Sequence, residues 1–148
     1  MIDYFAAAEN VLRHRATLNA SLEILYARKD AVIKRGAPAG YPTSSFRDDA
    51  GYSGSRATND SISLIVDLSE VQREILETET ERDLIDKALD HLTERDREIL
   101  KLWYIERLPK DDIAERLNYE SRVTIYQMRN RAVYEFSILY FGAPAIKA

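Results

Sequence analysis

Two long segments of the chain repeat apolar residues at alternating steps of three and four positions, which is a heptad pattern. The first covers residues 3–34 and the second residues 60–92. Two helices with the same period predict a coiled-coil pairing, either as an antiparallel hairpin within one chain or across a dimer. The seam positions are Tyr4, Ala8, Val11, Arg15, Leu18, Leu22, Leu25, Lys29 and Val32 in the first segment, and Leu64, Leu68, Val71, Ile75, Thr78, Arg82, Ile85, Leu89 and Leu92 in the second.

The segment between the two repeats, residues 36–59, is rich in Gly, Ser, Pro and Asp. Its glycines and prolines prevent the first helix from continuing. Its length exceeds that of ordinary connections, so we expect a mobile or functional loop. Asn59 or Asp60 can cap the helix that follows.

The C-terminal third of the chain carries signals for shorter helices. Thr93 is a candidate N-cap, and Pro109 stands where the first turn of a helix tolerates proline. Ala114 is small enough for two helices to cross closely, and Asn118 tolerates the left-handed backbone conformation that a tight turn requires. Ser121 can then cap the last helix. This order of signals predicts a helix-turn-helix.

The last predicted helix has two chemically different faces. Ile125, Met128, Ala132, Phe136 and Leu139 recur at three- and four-residue steps and predict one buried stripe. On the other surface, Arg can bond guanine, Gln can bond adenine, and Arg or Tyr can hold phosphates. The polar candidates for DNA contact are Arg122, Thr124, Tyr126, Gln127, Arg129, Asn130 and Arg131, with Lys110 from the preceding helix as a phosphate contact. The simpler alternative is a core helix with a solvated polar face.

The distribution of charge removes one objection to DNA binding. The chain carries a formal net charge of −4. Residues 60–92 hold ten acidic against three basic residues, a net charge of −7, whereas residues 121–141 hold three basic residues against one acidic residue, a net charge of +2. The acidity therefore belongs to the second long helix, which is a solubility surface or a docking face for a basic patch on a partner.

Composition argues against several other classes of protein. The chain has no cysteine, and its two histidines lie in different predicted helices, so no metal site is expected. There is no phosphate-binding glycine loop and no nucleophile elbow, so we expect neither an enzyme nor a cofactor. No apolar run is long enough to span a membrane and no secretion signal is visible, so we expect a cytoplasmic protein.

Residues 88–136 resemble region four of sigma factors, and more closely the RinA/ArpU-type phage transcriptional activators. The motif that carries the resemblance is Leu102, Tyr104 and Ile105, then Ile113, Ala114 and Leu117, followed by Tyr126, Arg131 and Ala132. The N-terminal likeness is one of architecture only. Val123 stands where sigma factors often have an acid that reads cytosine, and the turn is one residue longer than the tightest sigma-type turn.

The resemblance implies a transcriptional regulator that activates phage late, packaging or lysis genes in the cytoplasm of a bacterial host. It also makes a basic patch on RNA polymerase a candidate partner for the acidic second helix. The partners it implies are double-stranded DNA, a second copy of the chain in a homodimer, and bacterial RNA polymerase. Two alternatives stay open: a phage small terminase subunit that binds packaging DNA, and a module that binds RNA polymerase without DNA.

The expected fold is all-α, a long coiled-coil-like helical hairpin followed by a sigma-region-four-like helix-turn-helix. We expect a hairpin or dimerisation arm over residues 1–92, which includes the loop 36–59. A DNA-binding helix-turn-helix domain over residues 93–141 and a tail over residues 142–148 follow it.

Overall fold

The structure, a computed structural model, describes residues 1–36, 54–118 and 121–147, and of residues 54–58 and 147 the backbone alone. The expected all-α fold is confirmed, since this part of the chain contains helices and no strand. None of its helices combines the length and the apolar character needed to cross a membrane. The helices are α1 (Tyr4–Gly36), α2 (Gly54–Asp90), α3 (Glu94–Leu100), α4 (Lys110–Arg116), α5 (Arg122–Phe141) and α6 (Ala143–Lys147), with a π-helical turn at Lys101–Ile105 directly after α3.

The chain forms two compact units that divide both long helices. Unit 1 contains residues 1–19 and 80–148, and unit 2 contains residues 20–79. The predicted domains placed all of residues 1–92 in an arm. The compact units instead group the start of α1 and the end of α2 with the C-terminal helices.

In unit 2, α1 and α2 run antiparallel. Arg35 bonds Asp67 at 2.5 Å and Arg28 bonds Glu74 at 3.2 Å. Lower residue numbers in α1 therefore pair with higher residue numbers in α2. The buried residues come from the two predicted seams and form one cluster: Leu22, Leu25 and Val32 with Val71 and Ile75, flanked by Leu64 and Leu68. Since these heptad residues meet within one chain, the hairpin alternative is the one the structure adopts here.

Unit 1 has a larger core. Leu12 from α1 and Ile85 from α2 are fully buried together with Ile99 and Phe136 from the C-terminal helices. The predicted seam residue Arg15 is half-buried and bonds both carboxylate oxygens of Asp86, at 2.7 and 2.8 Å. The ends of the long helices therefore belong to the core of the C-terminal domain.

Two predicted boundaries differ from the structure. Helix α2 begins at Gly54, ahead of the predicted caps Asn59 and Asp60, and most of the remaining predicted loop lies outside the described residues. The predicted tail contains α6, whose Ala145 is buried. A proline in this short helix, at position 144, lies in its first turn, where proline is tolerated.

The local signals of the helix-turn-helix are confirmed. Thr93 caps α3 by accepting a hydrogen bond from the amide of Asp96 at 3.3 Å. Asn118 has φ of 61°, the left-handed conformation predicted for the turn, and Ala114 is buried. The longer turn inferred from the sequence lies partly outside the described residues. Together these signals position α4 against α5.

Candidate nucleic-acid interface

The candidate recognition helix α5 starts at a well-defined cap. The Ser121 hydroxyl accepts a hydrogen bond from the amide of Val123 at 3.2 Å, as predicted. The cap satisfies one of the amides that a helix start leaves without an intrahelical partner. It fixes the point at which Arg122 enters the helix.

The buried side of α5 is wider than the predicted stripe. Ile125, Met128, Ala132 and Phe136 are buried as predicted, and Val133 and Ser137 are buried with them. The prediction for Leu139 was wrong, because its side chain is 44% exposed. Val133 and Ser137 form a second buried row because α5 has neighbours on more than one side. It packs against α3 and α4, and the rings of Phe141 and Tyr4, 5.4 Å apart, also connect it to the start of α1.

The exposed side of α5 is a continuous face that is mostly polar. Gln127, Asn130 and Arg131 are exposed, and Thr124 is half-buried beside them. The face also includes Val123, which is 64% exposed, Tyr126, which is 41% exposed, and Tyr134, which is 44% exposed. Tyr134 is not among the residues predicted to contact DNA. Its position seven residues after Gln127 and four after Asn130 nevertheless places it on the same side of the helix. We call these seven residues the α5 face.

Arg122 lies at the edge of this face and is paired in the free protein. Its guanidinium makes two hydrogen bonds of 2.7 Å to the two carboxylate oxygens of Asp111. These bonds lower the pKa of Asp111 and raise that of Arg122. Both side chains are well exposed, so the pair links the starts of α4 and α5 while it stays open to solvent and salt.

Arg129, predicted as a DNA contact, is bound inside the domain. Its side chain is only 16% exposed, and it donates to Glu9 at 3.3 Å and to the Tyr104 hydroxyl at 3.2 Å. Its guanidinium also lies 4.5 Å from the centre of the Trp103 ring. Position 129 follows buried Ile125 by one helical turn, so it points towards the core side. The prediction that this polar side chain is exposed is therefore wrong, because residue type alone does not determine exposure.

The acceptor at the centre of this network is the carboxylate of Glu9, on α1. The Tyr104 hydroxyl donates to it at 2.7 Å, and Arg13 and Arg129 each approach it at 3.3 Å. Burial, together with the hydrogen bond to Glu9, raises the pKa of Tyr104 to about 12. No pattern in the sequence indicated this contact between α1 and α5. We call Glu9, Tyr104 and Arg129 the Glu9 network.

The other predicted basic contacts remain near the surface. Arg131 is 65% exposed, with a long ion pair of 3.6 Å to the buried carboxylate of Asp96. The Lys110 ammonium lies 4.2 Å from the centre of the Trp103 ring, a cation–π distance. The Trp103 indole is itself buried and contacts the Tyr126 ring edge-on at 5.1 Å. Lys110 and Tyr126 therefore lie against the same ring.

Trp103 and Tyr104 are both buried because they lie in the π-helical turn. The amide of Glu106 bonds the carbonyl of Lys101 at 2.8 Å, five positions earlier, which is the hydrogen bond of a π-helix. Leu102 is buried with them. Such turns are frequent at functional sites, and this one brings the indole and the phenol beneath α4 and α5.

Comparison with known proteins agrees with this geometry. Residues 82–134 match the family model described as sigma-70, region 4. No curated protein and no solved structure matches the chain. The matched region starts in α2, includes the whole of α3 and α4, and ends within α5, so α1 lies outside it. The segment is similar to sigma-70 region 4, and the predicted sigma-region-four-like helix-turn-helix is confirmed.

Proposed function

We propose that the chain is a non-enzymatic, sequence-specific DNA-binding regulator of transcription. The observation that carries the proposal is the α5 face, which presents amide, guanidinium and phenol groups to solvent on a capped helix inside the region similar to sigma-70 region 4. In a helix-turn-helix, the second helix enters the major groove with its N-terminal residues on the base edges. Helix α5 is that second helix.

The first turns of α5 supply the groups for base reading. Gln127 can bond adenine with two hydrogen bonds, and Arg122 can bond guanine in the same way. Asn130 can also bond adenine in this way if its amide oxygen exchanges the hydrogen bond of 2.8 Å that it accepts from Arg129 for one from the base. Val123 offers an apolar surface that suits a thymine methyl group and has no acceptor for cytosine. The target therefore differs from that of sigma factors with an acid at this position.

The phosphate contacts come from the edges of the same surface. Arg131 and Lys110 supply positive charge, and Thr124 and Tyr126 supply hydroxyl donors. Arg129 is not among the proposed phosphate contacts, because its guanidinium already donates a hydrogen bond to Glu9. We assign it to holding α5 in place against α1.

The resemblance to RinA/ArpU-type activators supports a finer proposal, activation of phage late, packaging or lysis genes in the bacterial cytoplasm. Sigma region 4 domains bind RNA polymerase as well as DNA, so polymerase is a proposed partner. A homodimer is proposed through the exposed apolar residues of α2, Ile62, Ile65, Val66 and Leu76, which lie away from the intrachain seam. A two-fold dimer would bind half-sites about one helical turn apart.

The test is selection of bound fragments from the source genome, followed by hydroxyl-radical footprinting. We expect a recurring sequence upstream of late genes, with protection on one face of the duplex. Recovery of fragments without a common sequence would contradict sequence-specific binding. Capture of polymerase without any DNA retardation would instead favour the polymerase-binding module, and a ring of eight or more subunits that binds packaging-site DNA would favour a small terminase subunit.

A further inference from the structure

Next to Trp103, on the side of α4, there is an open pocket of about 370 Å³. It is lined by Arg13 from α1, by Trp103 and Tyr104 from the π-helical turn, by Arg107 from the loop that follows, and by Lys110 at the start of α4. All of these residues belong to unit 1. Arg13 lies outside the region that matches sigma-70 region 4.

The pocket has an excess of positive charge. Among the described side chains that line it or bond to those that do, Arg13, Arg107, Lys110 and Arg129 are cationic and Glu9 alone is anionic. That one carboxylate is shared between two arginines and the Tyr104 hydroxyl. Within the described part of the chain, Arg107 and Lys110 form no salt bridge. An anion entering the pocket therefore meets two cations, Arg107 and Lys110, that are not already paired with a carboxylate of the described residues, beside Arg13, which shares Glu9 with Arg129.

The loop at the rim of the pocket has an unusual backbone. Arg107 has φ of 54°, the left-handed region that residues other than glycine rarely adopt. In this conformation its guanidinium donates to the main-chain carbonyl of Arg13 at 3.1 Å. The contact brings the two guanidinium-bearing residues together without using a carboxylate. Backbone strain of this kind concentrates at binding sites.

The pocket adjoins the α5 face. The ring of Tyr126 lies 5.1 Å from that of Trp103, and Lys110 lies 4.2 Å from the same ring on the pocket side. Lys110 is thus within about 10 Å of the Tyr126 ring, which corresponds to roughly three base-pair steps along the DNA axis. A duplex whose major groove receives α5 has its flanking backbone at this distance.

We propose that Arg13, Arg107 and Lys110 form a phosphate-binding site for the DNA backbone next to the bases that α5 reads, so that α1 contributes directly to the DNA interface. This inference rests on the proposed DNA-binding function. The guanidinium groups suit a phosphate because they can bond two of its oxygens at once, and the lysine adds a point charge. The site carries no sequence information and strengthens binding to any duplex.

The test compares Arg13→Gln and Arg107→Gly with Arg28→Gln. Arg28 is a matched control because it lies on the same helix, its side chain is 54% exposed against 55% for Arg13, and it too has one glutamate partner. Arg107→Gly removes the charge where glycine suits the backbone, so it preserves the fold. Binding to the selected duplex and to a random duplex of the same length is followed by fluorescence anisotropy across a salt series.

We expect Arg13→Gln and Arg107→Gly each to weaken binding to both duplexes by roughly threefold to tenfold and to reduce the salt slope by about 0.9. Arg28→Gln should bind like the wild type. A scan with single methylphosphonates, which neutralise one phosphate each, should find a flanking position that weakens the wild type but not Arg107→Gly.

Two outcomes overturn the inference, and they are distinguishable. If the wild type binds its selected duplex while both variants match Arg28→Gln in affinity and salt slope, the pocket is not a phosphate site and the proposed function stands. If the wild type binds no duplex, the proposed function fails and the inference fails with it.

Discussion

Units 1 and 2 are built from the same two long helices but are held together differently. The described residues of unit 2 form a seam of five buried residues, each of which retains a small exposed fraction, and the ion pairs of Arg28 and Arg35 are largely open to solvent. Unit 1 buries side chains completely, and a carboxylate, a phenol and a guanidinium are bonded inside it. The same heptad pattern of apolar residues therefore occurs in two kinds of packing.

The difference shows what α3, α4 and α5 contribute to packing. A two-helix seam leaves one side of every side chain near solvent, whereas α3, α4 and α5 enclose the ends of α1 and α2. Enclosure makes burial complete and lets a polar network contribute more than it would in water. We therefore expect equivalent substitutions to have large effects in unit 1 and small ones in unit 2.

The largest expected effect tests this in the core. Ile99→Ala removes most of a fully buried side chain and should lower the free energy of unfolding by about 4–5 kcal/mol, whereas the same substitution at Ile75 in the unit 2 seam should cost about 2 kcal/mol. Urea titration followed by circular dichroism measures both. Equal losses would show that the two-helix seam is as tightly packed as the core and would remove the distinction.

The second prediction compares two glutamates. Glu9→Ala leaves Arg129 and the Tyr104 hydroxyl without their shared acceptor and should cost about 2 kcal/mol of stability. Glu74→Ala removes an exposed partner of Arg28 and should cost no more than about 0.5 kcal/mol. The same urea titrations measure these losses. A Glu9 variant as stable as the Glu74 variant would mean that the network holds nothing in place.

The third prediction separates the exposed and buried polar residues of α5. Gln127→Ala should weaken binding to the selected duplex by roughly 1–3 kcal/mol, with little effect on random DNA or on stability. Arg129→Gln should instead lower stability, since its guanidinium is held by Glu9 and Tyr104. Anisotropy and thermal unfolding distinguish the two. The reverse pattern would return Arg129 to the DNA-contacting surface.

The sequence predicts what depends on local periodicity. The heptad seams, the Thr93 and Ser121 caps and the left-handed Asn118 are each encoded within a few neighbouring residues, and each is found as expected. Periodicity also predicts most of the buried side of α5.

The errors come from contacts between distant segments. Arg129 is held inside the domain because Glu9, 120 positions earlier in the chain, accepts a hydrogen bond from its guanidinium, and nothing near Arg129 in the sequence indicates that. The contact between Arg107 and the carbonyl of Arg13 likewise depends on α1 meeting a loop that is distant in the sequence. Polarity alone does not distinguish an exposed arginine from one that holds the fold.

The fourth prediction uses the pH dependence of unit 1. Since the pKa of Tyr104 is raised to about 12 from the ordinary value of 10.0, the neutral phenol stabilises the fold. This contribution is complete below pH 10 and is lost as the pH rises towards 12. Tyr104→Phe removes the titrating group, so the difference in stability between wild type and variant should fall by about 1 kcal/mol between pH 9 and pH 11. A pH-independent difference would contradict the raised pKa.

The smallest effect concerns two exposed aspartate–arginine pairs, Asp111 with Arg122 in unit 1 and Asp67 with Arg35 in unit 2. Asp111→Asn removes the carboxylate that pairs with Arg122 and leaves the guanidinium available for DNA, whereas Asp67→Asn frees Arg35 in unit 2. Neither change should alter stability measurably, because the side chains are exposed. Asp111→Asn should tighten binding to the selected duplex by roughly twofold to threefold, since one anion near the DNA is lost. Asp67→Asn should leave DNA affinity unchanged, because unit 2 lies outside the proposed interface.

Tighter binding by both variants would mean that only net charge matters, and unchanged binding by both would mean that Arg122 does not reach the duplex. Only an effect confined to Asp111 assigns the DNA interface to unit 1.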